Sequence, residues 1–146
     1  MKKYMVAAAL FAVAVSPLAA QDTAELKTKS GVIAAPAPGK GQIVFYRPGS
    51  MMGMALGCTV HEGPAEVARL GSGKYYTVTA EPGKHVYNTE GEAKDVLNLE
   101  VEPDETYFVK CKIGMGVMSG RANLSPSDKA AFAQKAKGLA IWTPKK

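Results

Sequence analysis

The side chains best suited to soft-ligand or redox chemistry are two cysteines, two histidines and a run of methionines. Cys58 shares strand parity with Val60, and Cys111 shares it with Val109 and Ile113, so both thiols are expected to point inward. In an oxidising compartment an inward pair suggests a disulfide. Its loop of about fifty residues would add roughly 4 kcal/mol by loop-closure entropy. The alternative is two buried free thiols packing as small apolar groups. No Cys-x-x-Cys spacing is present, which argues against a thiol oxidoreductase.

Met51, Met52, Met54 and Leu56 fall in one stretch, SMMGMALG (residues 50–57), and Met115 and Met118 lie near the other end of the strand pattern. Thioethers with a nearby imidazole suit Cu(I), which makes Met51, Met54, His61 and His85 soft-metal candidates. Methionine is also an adaptable apolar filler, and methionine-rich loops serve as permissive contact surfaces. On that reading Met51, Met52, Met54 and Leu56 form a partner-contact loop. His61 shares parity with Thr59 and is expected to face solvent, and His85 follows a Pro-Gly turn. Neither has a His-x-x-x-His or His-Glu-x-x-His spacing. No Gly-x-Ser-x-Gly elbow or phosphate-binding glycine loop is present, and Gly71-Ser72-Gly73-Lys74 reads as a hairpin turn. No catalytic residue and no cofactor is therefore assigned, and a non-enzymatic protein is expected. Lys84, Lys110, Lys112 and Arg121 could line one basic face, either for an anionic polymer or as a solvated sheet surface.

Short strands must position these residues. Runs rich in β-branched and aromatic residues at 42–47, 58–62, 65–70, 75–80, 84–88, 96–101 and 106–113 are separated by Gly/Pro punctuation. Pro82-Gly83 suits a type II turn. Residues 117–124 add a short edge strand. A helix is expected over residues 126–137, with Ser125 as N-cap, Pro126 at the first helical position and Gly138 as stop. Its apolar stripe is thin (Ala131, Phe132, Ala136), so it should lie on the sheets rather than build a core of its own. Ile141 and Trp142 should pin the tail. Seven or eight antiparallel strands of this length predict an all-β sandwich, immunoglobulin-like or transthyretin-like, with one C-terminal helix.

The first twenty residues stand apart. Lys2 and Lys3, an apolar run at 5–15 and small residues before Gln21 read as a secretory signal peptide cleaved after Ala20, with an uncleaved anchor as the alternative. The apolar run falls short of the ~20 residues a membrane span needs, and no later segment is long and apolar enough to cross. No cysteine follows it to carry a lipid. Residues 21–40, ending in AAPAPGK, read as a flexible tether, and residues 41–146 as the domain. Removing Lys2 and Lys3 with the leader lowers the formal net charge from +5 to +3. That mild balance gives no case for nucleic acid, and a net positive chain argues against an inhibitor of a strongly basic enzyme such as lysozyme.

Four stretches stand out as turn-and-strand motifs: Phe45-Tyr46-Arg47-Pro48, Arg69 through Tyr76 (RLGSGKYY), Glu81-Pro82-Gly83-Lys84-His85 and Glu102 through Val109 (EPDETYFV). They resemble a family of bacterial exported domains of unknown function, DUF2846-like, and more loosely PEGA-type β-sandwich modules. The resemblance covers residues 41–124 and implies a sandwich fold. It brings no activity and no functional residue. Together these features predict a periplasmic or secreted accessory module that binds an envelope protein, lipid or glycan, with a copper-binding protein as the alternative.

Overall fold

The computed structural model describes residues 25–51, 53–89, 95–115 and 120–146. In chain order the elements are β1 (Lys27–Thr28), β2 (Gly31–Val32), β3 (Gly41–Arg47), β4 (Cys58–Glu62), β5 (Ala65–Leu70), β6 (Lys74–Ala80), β7 (Gly83–Thr89), β8 (Val96–Val101), β9 (Thr106–Met115), β10 (Gly120–Ser127), α1 (Lys129–Ala136) and β11 (Ala140–Ile141). A five-stranded sheet runs β10-β9-β3-β6-β11 and a four-stranded sheet runs β5-β4-β7-β8. The all-β sandwich with a C-terminal helix is thus present, with two departures from a purely antiparallel arrangement. β3 pairs parallel with β9, and β11 pairs parallel with β6.

All seven residues of β3 are buried. Because strand side chains alternate, this one strand feeds two apolar layers. Ile43 and Phe45 face the space between the sheets, with Val60, Leu70, Tyr87, Val109 and Leu124. Val44 and Tyr46 face the other way and pack with Tyr75, Phe108, Phe132, Ala136 and Leu139. Phe132 is the hub of that second layer, 5.0 Å edge-on to Tyr46 and 5.1 Å from Phe108. The Tyr46 hydroxyl reaches the Ser127 hydroxyl at 2.6 Å.

The second layer explains why part of the expected tether is structured. Leu26 and Ile33 flank a hairpin made by β1 and β2 and pack against it. The hairpin is tied down by Lys29 N–H donating to the Leu139 carbonyl at 2.8 Å and by Thr28 Oγ1 reaching the Tyr75 hydroxyl at 3.1 Å. Residues 1–24, including the expected leader, lie outside the described residues, as does Met52.

The helix begins later than expected. β10 stays paired with β9 as far as Ser127 opposite Phe108, so Ser125 and Pro126 are strand residues. Pro126 is tolerated because β10 is an edge strand, where a missing N–H breaks no ladder. Asp128 is the N-cap, its carboxylate accepting from Ala131 N–H at 2.7 Å. Both Ser125 and Asp128 have capping side chains, and the longer strand pairing decides between them. The tail is pinned through Ala140 and Ile141 on β6, with Trp142 edge-on to Tyr76 at 5.2 Å.

Cys58 and Cys111 form a disulfide with a Cα–Cα distance of 6.6 Å. It joins β4 of one sheet to β9 of the other through the buried core. The two residues lie 53 apart in sequence, and cross-linking a loop of that size removes about 4 kcal/mol of unfolded-state entropy. Cys58→Ser/Cys111→Ser is therefore expected to lower unfolding stability by about 4 kcal/mol in urea titration without changing the far-ultraviolet spectrum. A loss well under half of that would mean the sheets hold together without the staple.

Candidate functional site

The chain leaves β3 through Arg47 and enters the methionine loop, residues 48–57. Arg47 is only 2% exposed. Its guanidinium donates to three backbone carbonyls: Leu56 through Nη1, Leu70 through Nη1 at 3.3 Å and Gly53 through Nη2 at 2.6 Å. No carboxylate among the described residues pairs with it. Burial lowers its pKa from the ordinary value, yet an arginine stays protonated in proteins. A buried guanidinium without acceptor partners would cost several kcal/mol, so the loop carbonyls are the condition for Arg47 to sit there.

Close packing fixes the same loop from the other side. Gly53 takes φ +65°, and a Cβ there would meet the Ile113 side chain at 2.7 Å. A Cβ on Gly120 would meet Leu56 Cδ1 at 2.2 Å, so Leu56 lies directly on the β10 backbone. Ser50 is tied to the turn before β6, its N–H donating to Ser72 Oγ at 2.9 Å. With backbone and Leu56 held, Met51 and Met54 project outward, 88% and 62% exposed.

A cavity of about 240 Å³ beside the loop is lined by Arg47, Ser50, Lys110, Lys112, Ile113 and Lys135. Tyr107, Val109, Cys111 and Ile113 of β9 pack in the sandwich core, so Lys110 and Lys112 take the outer face, which Phe108 shares under the helix. Arg121 lies opposite Gly114, and Asn123 opposite Lys112, on that same face. Lys135 comes from the last turn of α1. Lys84, expected on this face, is instead on β7 in the other sheet, opposite Glu100.

The histidines do not join the methionines. The shift in the β4–β5 ladder falls at Val67 of β5, while β4 stays in continuous register with β7 through Val60, His61 and Glu62, so His61 keeps the parity of Thr59 and it is that face that is covered. Thr59 is buried and His61 half-buried, in place of the two solvated positions expected. His85 lies on β7, with Nδ1 2.5 Å from Glu62 Oε1 and Nε2 2.7 Å from the Glu81 carbonyl. Both partners are acceptors, so both ring nitrogens donate and the ring is the imidazolium. Burial opposes that charge, but the bonds to Glu81 and Glu62 and the charges of both carboxylates outweigh it, and the His85 pKa is raised. Burial, with Glu62 beside it, also raises the Tyr87 hydroxyl. Glu62 lies four residues along β4 from Cys58, about 13 Å at strand spacing, which separates this cluster from the loop. With Cys58 and Cys111 oxidised and both His85 nitrogens bonded, the soft-metal set is not assembled. Among the described residues no group of three or more His, Cys, Asp or Glu side chains is placed to hold a metal ion.

The DUF2846 family profile, described as protein of unknown function, matches residues 37–122, more than half of the chain. The chain belongs to the DUF2846 family. The matched segment holds β3 through β9, the methionine loop, Arg47 and both cysteines, while β1, β2, α1 and Lys135 lie outside it. The likeness to PEGA-type modules is not supported. No curated protein and no solved structure matches the chain.

Arg47 was not singled out from sequence, because a charge at a strand end next to Pro-Gly reads as a surface residue. Arg47→Met keeps most of the stem's volume and removes the donors. Lost hydrogen bonds to a charged donor cost about 1.5–3 kcal/mol each, so the thermal midpoint is expected to fall and proteolysis within residues 50–56 to rise. Unchanged protease resistance would show that Leu56 and Gly53 hold the loop without Arg47.

His85 gives a pH signature with a fixed sign. Its folded-state pKa lies above the ordinary 6.5, so its contribution is full below pH 6.5 and is lost as pH rises through the folded value. The stability gap between wild type and His85→Asn should be larger at mildly acidic than at alkaline pH. A gap independent of pH would contradict the imidazolium assignment.

Proposed function

We propose that this DUF2846 domain is an exported, non-enzymatic binding or accessory module of the bacterial cell envelope, and that residues 48–57 are its contact surface. The observation that carries the reading is the exposure of Met51 and Met54 on a backbone that Arg47 and two close-packed glycines hold still. Apolar side chains on a fixed loop lose little conformational freedom when a partner covers them, and methionine adapts its shape to the surface it meets.

Export is supported by the leader-like pattern of residues 1–20 and by a disulfide, which persists in oxidising compartments. No helix among the described residues is long and apolar enough to cross a membrane.

The test is an envelope pull-down with wild type and Met51→Ser/Met54→Ser. Both positions are exposed, so the variant should keep its stability within about 0.5 kcal/mol. It should lose at least one component that wild type retains. Identical sets of captured components would remove the loop from the contact surface.

A further inference from the structure

The cations beside the loop are not distributed at random. Along β3, about 20 Å at strand spacing, the surface changes sign. Glu81, Glu102, Asp104 and Glu105 gather where β3 begins: Gly41 pairs with Ala80, next to Glu81, and Gln42 N–H donates to the Glu105 carbonyl. Glu25 shares a cavity with Asp104 and Glu105 there, where three carboxylates face the single cation Lys129. Lys40, at that end, is neutralised by Glu81. Where β3 ends, Arg47, Lys110, Lys112 and Lys135 line one cavity, Arg121 follows on β10, and Lys74 pairs with Arg47 across the ladder. No carboxylate among the described residues neutralises Lys110, Lys112, Arg121 or Lys135. The exposed Met51, Met54 and Leu56 lie at this basic end, with Leu56 on Gly120, next to Arg121.

We infer that the basic end docks on an anionic lipid bilayer, with Met51, Met54 and Leu56 entering the headgroup region and Lys110, Lys112, Arg121 and Lys135 facing the lipid phosphates. This rests on the reading of residues 48–57 as the contact surface and names what it contacts. Stable peripheral binding takes two signals, an apolar insertion and a basic patch, because neither alone holds. Both are present here at one end of the sandwich, the loop against Ile113 and Gly120 and the cations on the outer side of β9 and β10. The opposite sign at the far end of β3 gives the domain a dipole that turns the basic end toward a negative surface before contact. A protein partner would need a matching acidic patch with a pocket for two methionines. A phospholipid headgroup layer supplies the phosphates and the apolar depth together.

The experiment is co-sedimentation of the processed, disulfide-intact protein with vesicles of phosphatidylcholine alone and of phosphatidylcholine mixed with phosphatidylglycerol. Wild type should sediment with the anionic vesicles, much less with the neutral ones, and progressively less as salt rises. A juxtamembrane cation is worth about five-fold in affinity, so Lys112→Gln/Lys135→Gln should bind about twenty-five-fold more weakly. Met51→Ser/Met54→Ser should lose about ten-fold or more. In wild type, anionic vesicles should also slow oxidation of Met51 and Met54 by hydrogen peroxide, a readout that needs no variant. Failure to sediment, equal binding to neutral vesicles, wild-type binding by either variant, or unprotected methionines would each overturn the inference. If vesicles fail while the envelope pull-down still loses a component with Met51→Ser/Met54→Ser, the lipid is wrong and the contact surface stands. If both fail, the contact surface is wrong as well.

Discussion

Burial of β3 on both faces is the constraint from which the rest of the fold follows. A strand covered on one side needs one partner layer, whereas Gly41–Arg47 needs two. The four-stranded sheet supplies the first, fastened by the Cys58–Cys111 bond. The second has to come from sequence on either side of the sheet-forming segment, and it does: β1 and β2 precede it, and α1 and β11 follow it. Helix propensity alone would not hold α1, since an eight-residue helix is marginal in water. Phe132, set among Tyr46, Tyr75 and Phe108, holds it in place.

The same strand also determines the loop. Extending β3 by one more buried residue places a guanidinium in the protein interior, and its desolvation has to be offset by hydrogen bonds. An acidic partner would have closed the site on itself. Backbone carbonyls from Gly53, Leu56 and Leu70 do the work here, so the bonds that satisfy Arg47 are the bonds that shape residues 48–57. Leu56 rests on Gly120 with part of its side chain exposed, and the methionines project further out. Their exposure is a product of how the backbone is held. A floppy loop would instead let the thioethers fold back on the sheet edge.

Much of this fold is legible in the sequence because its signals are local. Gly/Pro punctuation and alternation place the strands, and the inward parity of Cys58 and Cys111 anticipates the staple. What was missed depends on pairing between distant segments. The face of β4 that carries Thr59 and His61 is covered, so strand parity alone put His61 in solvent wrongly. Continued pairing of β10 with β9 moves the helix cap from Ser125 to Asp128. Leu26 and Ile33 look isolated in a Pro- and Ala-rich stretch until a second apolar layer exists to receive them. For the site, the methionine loop was visible from composition. Arg47 and Lys135 were not, because one owes its role to burial and the other to where the helix lands.

The boundary of the family match bears on what the basic end recognises. Arg47, Lys110, Lys112, Arg121 and the methionine loop lie within residues 37–122, on strands whose pairing fixes their spacing. Lys135 lies outside and reaches the same cavity only because Phe132 seats α1 on β3 and β9. The cavity is therefore composite, with a wall set by the sheet and a lid edge set by the helix. A point ligand such as a single phosphate would demand that all these cations converge within hydrogen-bond reach. An extended anionic surface makes no such demand, since long-range attraction adds over charges spread along a face. Cations drawn from two strands and a helix, beside an apolar loop, fit the second case better than the first.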